Sequence, residues 1–462
     1  MTGKYLDSVQ TLRKYQEIIN TIRHIDATDI KSLSTNVSSS WPTVKSAIEE
    51  LANNNLIRVP NGNDVKKFII NPDFACFLGI AIGATETKIS IIDFEFKPID
   101  ILNDMYFTTL VDEIKKIYPV KNDNYCLCFD SKLDYFEIYK FCTTVIDLAL
   151  DFFQQNSICN KLHLLSVGIS LPGIIDKNTQ EMTFCPNIPS LVGMPVKKIL
   201  SNETREKLDN NHIPFYIYRD SMAATVGEKE MLYLSDEKKK QYKNKENIAV
   251  FYLGYGLSSG YIFNNQLILG ASGATGEIGH ICIDIDSQKV LDKCNDDLFI
   301  VNGSLEDNIK LDSIDNDCDC SSKLCLERLV RLMVFNSFSP NDYRHKTKID
   351  SLKEFSKKHS TRYEILKELL GKALNITVNM LNVDLVILSG RILNGIPELR
   401  SDLEATMNDK SLKASSKYCN IINGSSRLDI VAIGVAILSY YNSFCDTTED
   451  QSLKLNWNTN LN

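Results

Sequence analysis

Apolar residues in the first 70 positions recur at the three- and four-residue spacing of helices, in three successive segments. The first helix is predicted to bury a single stripe, which consists of Leu6, Val9, Leu12, Ile19 and Ile22. Residues 26–29 supply N-cap candidates for a second, short helix through Ile30 and Leu33. Trp41-Pro42 opens the third helix, because proline is tolerated in the first helical turn. Its predicted inward face consists of Val44, Ala47, Ile48 and Leu51.

Two strand-like runs follow these helices, at 56–59 and 65–70, and they flank Asn61-Gly62, a strong hairpin-turn pair. Three helices and a hairpin within 70 residues predict a winged helix-turn-helix, whose third helix would enter the major groove of DNA. The residues expected to contact phosphates and base edges are Ser39, Ser40, Thr43, Lys45, Ser46, Arg58, Lys66 and Lys67. A small helical protein-interaction domain would have the same pattern and is the alternative.

Beyond residue 70 the pattern changes to apolar runs that end in glycine turns. Strands are predicted at 77–82, 88–93, 162–170, 215–219, 247–253 and 383–388, and a long helix at 136–153. The turns around Gly83 and from Gly254 to Gly260 are typical of loops that bring backbone N–H groups close to an anionic or hydroxylated ligand. Ordinary hairpins also require glycines, so these loops alone do not identify a ligand site.

Composition and charge define the broad class of protein. At 462 residues, with 44% hydrophobic and 24% charged residues, the chain has the composition of a globular protein of several domains. No apolar run approaches the roughly 18 residues of a membrane span, and the N-terminus lacks the apolar centre of a signal peptide, so a cytoplasmic location is expected. The first 70 residues carry nine Lys and Arg against seven Asp and Glu, whereas the whole chain has a net charge of −8. A mildly basic head favours nucleic-acid binding. The lysine-rich run at 238–245 is interpreted as a solvated helix end, and a DNA-contacting patch is the alternative.

A histidine and three closely spaced cysteines form the sharpest cluster in the sequence. The segment Gly276-Glu277-Ile278-Gly279-His280 is followed by Cys318, Cys320 and Cys325. Thirteen cysteines cannot all pair with one another, and in a cytosolic chain most should be reduced. One histidine and three cysteines match the ligands of a closed tetrahedral structural zinc site. Three reduced thiols in a loop are the alternative.

Taken in order, these segments resemble the ROK family of repressors, open reading frames and sugar kinases, in particular its sugar-responsive repressors of the N-acetylglucosamine and xylose type. The resemblance rests on LGIAIGATETKISIIDFE, VGISLPGIIDKNTQEMTFCPNIP, YRDSMAATVGE, YLGYGLSSGYIF, GASGATGEIGH and CDCSSKLCLE. It implies an α/β, actin-like body of the hexokinase type, with two lobes and a sugar-sized cleft, preceded by the winged helix-turn-helix. The expected domains are a head at 1–70, a first lobe at 71–186 that a C-terminal helix at 429–446 completes, and a second lobe at 187–428 with a polar insertion at about 284–317.

The same resemblance implies the roles of individual residues. Zinc would be held by His280, Cys318, Cys320 and Cys325. Sugar hydroxyl groups would be bound by Asn187, Asp220, Glu277, His280 and Glu327. In a kinase of the family, Asp220 would be the general base that removes the proton of the attacking hydroxyl.

The two glycine loops depart from the pattern of the family's kinases. They keep Gly83, Thr85, Gly254 and Gly256. However, Ala81 replaces an acidic residue and Glu86 replaces a lysine in the first loop, and Tyr255 replaces a threonine in the second. Arg219 stands where an asparagine usually precedes the general base. Phosphoryl transfer depends on neutralising phosphate charge, so the resemblance favours a regulator over an enzyme.

The sequence therefore predicts a transcriptional regulator, a repressor by resemblance, that binds operator DNA through its head and a sugar or sugar derivative in its body. A homodimer or a higher homo-oligomer is expected, because one head offers few phosphate contacts. The main alternative is an ATP-dependent sugar kinase with Asp220 as general base. A protein-interaction scaffold is the third hypothesis.

Overall fold

The computed structural model describes a defined set of residues: 3–24, 29–59, 68–83, 86–120, 126–130, 134–156, 162–186, 188–254, 256–283, 300–301, 304–305, 320, 324–335, 352–425, 427, 429–444 and 453–454. They divide into two compact units. The first unit comprises Met1–Glu246, Ile262–Ala274 and Asp429–Asn462, and the second comprises Asn247–Tyr261 and Thr275–Leu428. Within the described ranges, no helix is both long and apolar enough to cross a membrane.

Four helices and a two-stranded hairpin form the head, which belongs to the first unit. Its elements are α1 (Gly3–Lys14), α2 (Gln16–His24), α3 (Ile30–Asn36), α4 (Trp41–Asn53), β1 (Ile57–Arg58) and β2 (Ile69–Ile70). The strands pair antiparallel, with Ile57 opposite Ile70. The single first helix expected from the sequence is instead two helices that meet at Tyr15. The predicted hairpin turn, with Lys66 and Lys67, lies outside the described residues.

Helix α4 begins where the sequence predicts. Ser40 is the N-cap and its Oγ accepts a hydrogen bond from the N–H of Thr43 at 3.4 Å, while Pro42 occupies the first turn. The predicted inward face is fully buried: Val44, Ala47, Ile48 and Leu51. Burying these four residues leaves the opposite face of α4 exposed to solvent, which is the arrangement that a DNA-reading helix requires.

The rest of the chain alternates strands and helices. Its helices are α5 (Thr108–Ile117), α6 (Tyr135–Asn156), α7 (Asn202–Asn210), α8 (Asp220–Tyr233), α9 (Asp236–Tyr242), α10 (Leu326–Phe335), α11 (Phe355–Lys358), α12 (Ser360–Leu381), α13 (Arg391–Gly395), α14 (Leu399–Lys410), α15 (Lys413–Ser416) and α16 (Ile430–Phe444). Its strands are β3 (Ala75–Ile82), β4 (Glu86–Asp93), β5 (Leu127–Asp130), β6 (His163–Leu171), β7 (Ile174–Ile175), β8 (Met182–Phe184), β9 (Phe215–Arg219), β10 (Ile248–Leu253), β11 (Leu257–Phe263), β12 (Gln266–Leu267), β13 (Ile300–Val301), β14 (Ser304–Leu305), β15 (Leu385–Ser389), β16 (Asn420–Asn423) and β17 (Leu453–Lys454). Each strand and long helix predicted in the body is present within a few residues of its expected bounds.

A five-stranded mixed sheet forms the centre of the first unit, in the order β5-β4-β3-β6-β9. β3 pairs antiparallel with β4 and parallel with β6, and β6 pairs parallel with β9. The sequence places the end of the first lobe at residue 186, whereas the structure keeps residues 187–246 in the first unit. The reason is that β9 extends this sheet and α8, which follows it, packs against α16.

Helices α8 and α16 lie unusually close together in the first unit, and glycines make this possible. A Cβ added to Gly434 would lie 1.7 Å from the carbonyl oxygen of Ala223, and one added to Gly227 would lie 2.6 Å from that of Ile430. No side chain fits at such distances. The contact fixes the position of α8, whose first residue is Asp220.

The second unit contains three parallel strands, with β15 between β10 and β16, and β11 continues their sheet beside β10. β10 ends at Leu253 and leads into the second glycine loop and β11. The expected insertion at 284–317 lies outside the described residues except for the short hairpin of β13 and β14.

Helix α2 is buried on nearly every side, because it packs against the rest of the first unit as well as against the head. The side chains of Asn20 and His24 are at most 2% exposed. Nε2 of His24 lies 3.0 Å from a carboxylate oxygen of Glu230 in α8, and the hydroxyl of Tyr441 in α16 donates to the same carboxylate at 2.8 Å. The one-sided apolar stripe expected from the sequence omits these polar contacts.

Burial sets the protonation of this pair. It lowers the pKa of His24, although Glu230 acts in the opposite direction. Burial disfavours ionisation of Glu230 itself, but contacts with His24 and Tyr441 outweigh it and leave the pKa of Glu230 below its ordinary value. The groups that face His24 are Glu230, Lys229 and Tyr233 of α8, Tyr441 of α16 and the neighbouring Arg23. At neutral pH the pair is therefore an uncharged imidazole bonded to a carboxylate.

Folding stability should decrease as the pH falls through the ordinary pKa of histidine, about 6.5. Below that pH the unfolded chain binds a proton at His24 and the folded chain does not, so the free energy of unfolding decreases. Glu230, with a lowered pKa, stays ionised above about pH 4.5 and does not contribute in this range. Urea unfolding between about pH 7.5 and about pH 5.5 should show a smaller loss of stability for His24→Gln than for the wild type. If His24→Gln and the wild type lost equal stability, the pKa of His24 would be the same in the folded and unfolded states.

Candidate functional site

The predicted metal cluster is partly assembled in the second unit. One ligand atom from each of His280, Cys320 and Cys325 lies within 4.8 Å of the others. A backbone hydrogen bond of 3.1 Å, from the N–H of Leu326 to the carbonyl of Ile281, holds the cysteine segment beside the histidine turn. Ligands of a tetrahedral zinc with 2.3 Å zinc–sulfur bonds lie about 3.8 Å apart, so the three donors fit a metal ion. Cys318 lies outside the described residues.

Gly276 gives the histidine segment its close contact with the second glycine loop. Its φ is +95°, and a Cβ there would lie 1.7 Å from the carbonyl oxygen of Ser259. The N–H of Ser259 donates to the carbonyl of Gly276 at 2.8 Å. This contact places the 3-10 turn Ile278–His280 directly beside the loop that follows β10.

Three of the expected sugar-binding residues belong to this region of the second unit. Oε2 of Glu277 lies 3.5 Å from Nε2 of His280, and both side chains are partly exposed. Glu327 is more enclosed: its carboxylate accepts a hydrogen bond from the N–H of Leu257 at 2.7 Å and pairs with Arg331 at 2.7 Å. Carboxylates and an imidazole in this arrangement can accept hydrogen bonds from neighbouring hydroxyl groups of a sugar.

Asp220 belongs to the first unit, where it is the first residue of α8. Its Oδ1 accepts a hydrogen bond from the N–H of Ser221 at 2.7 Å. The preceding Arg219 is buried, and its guanidinium donates to the carbonyls of Gly173 at 3.0 Å and Gly273 at 2.6 Å. Arg219 therefore links the turn at Gly173 to the turn at Gly273. Asn187 lies outside the described residues.

The first glycine loop carries an internal ion pair. Nζ of Lys88 lies 3.5 Å from a carboxylate oxygen of Glu86, and the N–H of Gly83 donates to the carbonyl of Glu86 at 3.0 Å. Ala81, at the position of the replaced acid, is buried. In the second loop the N–H of Gly254 donates to the carbonyl of Gly256 at 3.2 Å. Thr85 and Tyr255 lie outside the described residues.

The expected DNA face of α4 is exposed. Four of the residues expected to contact DNA are exposed at and around its start: Ser39, Ser40, Thr43 and Ser46. Lys45 is half-buried and lies 3.7 Å from Glu49, and Arg58 of the hairpin pairs with Asp73. Both basic side chains thus have carboxylate neighbours.

Sequence reasoning missed Trp41 as a member of this face. Its side chain is 50% exposed at the first position of α4, and Nζ of Lys45 lies 5.5 Å from its ring centroid. Residues at the start of a recognition helix contact base edges, and apolar groups there read the thymine methyl group. An aromatic residue beside an N-cap serine, where burial is not expected, is the signal that could have identified it.

The chain is similar to xylose repressors and to a glucokinase over part of its length. A xylose repressor of Bacillus spizizenii is 33% identical over 126 residues, and this stretch is 27% of the chain and 28% of the repressor. The chain thus spans about a quarter of the length of the curated repressors that it matches. A glucokinase of Thermotoga maritima is 22% identical over 178 residues, which are 38% of the chain and 43% of the kinase.

Fold and family are defined by longer matches. The crystal structure of a ROK family transcriptional regulator, a homologue of the E. coli MLC protein, aligns with a TM-score of 0.61 over 95% of this chain and 98% of that one, at 14% identity. This similarity establishes the predicted actin-like α/β fold. The ROK family model matches residues 143–440, more than half of the sequence. The chain belongs to the ROK family.

Proposed function

We propose that this protein is a sugar-responsive transcriptional repressor. The observation that carries the proposal is the head, in which an N-capped helix with an exposed polar face precedes a ROK body. The xylose repressors among its relatives make D-xylose the first candidate for the effector.

The DNA-binding step uses the exposed start of α4. Ser40, Thr43 and Ser46 offer hydroxyl groups, Lys45 offers a positive charge and Trp41 an apolar surface. Phosphate contacts hold the head in register, and contacts in the major groove select the sequence. Two heads in a homodimer would bind a pseudo-palindromic operator whose half-sites are about one helical turn apart, or a multiple of it.

The effector step uses the residues that the ROK resemblance assigns to the sugar: Asn187, Asp220, Glu277, His280 and Glu327. A structural zinc ion, held by His280, Cys320, Cys325 and Cys318, would fix the imidazole ring of His280. The imidazole can bind the metal through one ring nitrogen while the other meets the sugar. Sugar binding then alters DNA affinity only if the sugar prefers one conformation of the protein.

A sugar kinase is the second candidate function, because Asp220 lies at the position of the family's general base. The ion pair between Glu86 and Lys88 argues against it. Glu86 stands where the family's kinases have a lysine, and its carboxylate lies 3.5 Å from the ammonium group of Lys88. Phosphoryl transfer needs net positive charge there.

Replacing both Lys45 and Ser46 with alanine should weaken DNA binding about tenfold and reduce the dependence of affinity on salt by about one counterion. The change removes one charge and one hydroxyl from the exposed face of α4 without affecting its buried face. Fluorescence anisotropy with a duplex selected by the wild type measures the effect.

The matched control is Lys116→Ala, which removes an exposed lysine from α5 in the body. Its affinity for the duplex should equal that of the wild type. If the α4 double variant and the control bind equally well, α4 is not the DNA-binding helix.

A further inference from the structure

A buried polar cluster connects α2 of the head with α8 and α16. We call it the head joint, and its members are Asn20, Arg23, His24, Phe96, Glu230, Tyr440 and Tyr441. Arg23 donates to the carbonyl of Phe94 at 2.8 Å, and its guanidinium lies 3.7 Å from the ring centroid of Phe96. The other terminal nitrogen of Arg23 donates to Oδ1 of Asn20 at 2.8 Å. The hydroxyl of Tyr440 donates to the same oxygen at 3.0 Å. Every polar member described here is 9% exposed or less.

A further contact holds the C-terminal end of α2. Nζ of Lys239 donates to the carbonyl of Arg23 at 3.4 Å, where the end of a helix attracts positive charge. Lys239 is only 8% exposed, so the interpretation of the lysine run as solvated is wrong for this residue. Phe96 has a φ of +67°, a conformation that bulky residues rarely adopt and that packing must hold in place. The joint is thus a fixed attachment.

The same helix carries the joint and a proposed sugar-binding residue. Asp220 is the first residue of α8, and Glu230 lies ten residues later, about 15 Å along the axis at 1.5 Å per residue. The close contact between Gly227 and Gly434 braces the middle of α8 against α16. No break interrupts α8 between its two ends, so both ends move together.

We propose that α8 and the head joint couple sugar binding at Asp220 to the position of the DNA-binding head. This inference rests on the proposed function. A buried cluster cannot replace lost hydrogen bonds with water, so a displacement of α8 either moves α2 with it or breaks the joint. In both cases the position of the head changes. The states with and without sugar would then bind DNA with different affinities, as an allosteric response requires.

The test removes the acceptor at the centre of the joint. Glu230→Met keeps a side chain of similar length but cannot bind His24 or Tyr441. The probes are D-xylose, D-glucose, N-acetyl-D-glucosamine and a duplex selected by the wild type from a random library. In the wild type one of these sugars should change the affinity for the duplex by about 5- to 150-fold. In Glu230→Met this ratio should fall to within about twofold of unity, while the sugar-induced thermal shift is retained.

Two variants separate coupling from a general loss of stability. Glu230→Gln keeps one oxygen acceptor and should restore part of the sugar response. Tyr363→Phe removes a comparable hydrogen bond, from the hydroxyl of Tyr363 to Asp402 at 2.6 Å in the second unit, and should respond to sugar like the wild type. A full response in Glu230→Met would overturn the proposal.

Hydrogen exchange tests the joint without DNA or sugar. The amides of α2 should exchange at least about tenfold faster in Glu230→Met, whereas those of α12 should not change. Unchanged exchange in α2 would overturn the joint. If the wild type binds the duplex but ignores all three sugars, the proposed function fails in its effector step. Exchange in α2 then still decides whether the joint attaches the head.

Discussion

Gly434→Ala should destabilise the protein by roughly 3 kcal/mol or more. Helix propensity alone would favour alanine over glycine inside α16 by about 1 kcal/mol. However, the new Cβ would lie 1.7 Å from the carbonyl oxygen of Ala223, and backbone atoms cannot yield as a flexible side chain does. Packing therefore outweighs propensity and reverses the sign. Urea unfolding of the purified variant measures the difference.

Ser443→Ala is the matched control, because it changes a partly exposed position of the same helix. Its stability should stay within about 0.5 kcal/mol of the wild type. A Gly434→Ala variant as stable as the control would mean that α8 and α16 do not approach as closely as described. The brace on α8, and with it the coupling route, would then be lost.

Cys325→Ser should remove the bound metal and lower the free energy of unfolding by about 3–5 kcal/mol. A serine hydroxyl is a poor ligand for zinc, and loss of one thiolate opens a closed tetrahedral site. Cys325 directly precedes α10, which carries Glu327, so we also expect weaker sugar binding. Metal analysis should fall from about one zinc per chain to nearly none, and the melting temperature should fall by roughly 5–10 °C.

Cys282→Ser is the control for this variant, because Cys282 is exposed and lies two residues after His280. It should keep its zinc and its melting temperature. Zinc content that is unchanged in Cys325→Ser, or absent from the wild type, would contradict the metal assignment.

Local patterns were sufficient for the elements and for the order of the fold. The strand Phe215–Arg219 was predicted with the bounds that it has, because a β-prone run closes on Asp220, which begins a helix. The inward face of α4 was also predicted correctly from spacing alone. Both depend on interactions among residues that are close in sequence, so a single sequence is enough to predict them.

Long-range packing explains what the sequence did not predict. Asn20 and His24 are polar residues at helical spacing and resemble a solvent face, but their partners lie in α8 and α16, more than 200 positions away. Lys239 is buried for the same reason. The boundary expected at 187 differs from the observed one because the pairing of β9 with β6 is not visible in local patterns.

The roles of Asp220 and Glu327 in sugar binding came from resemblance to the family and remain predictions. What the structure adds is the set of contacts that position them. Glu327 is held by the N–H of Leu257 and by Arg331. Arg219, which directly precedes Asp220, donates to the carbonyls of Gly173 and Gly273.

One titration tests the central claim most directly. It measures the affinity of the full-length wild type for its selected duplex with and without D-xylose, D-glucose and N-acetyl-D-glucosamine. The samples also contain magnesium and ATP, so that phosphorylation of each sugar can be followed at the same time. We expect one sugar to change the dissociation constant at least about fivefold, without measurable phosphorylation of any sugar. A duplex affinity that no sugar alters, together with turnover of about one per second or more that Asp220→Asn abolishes, would contradict the account and identify a sugar kinase.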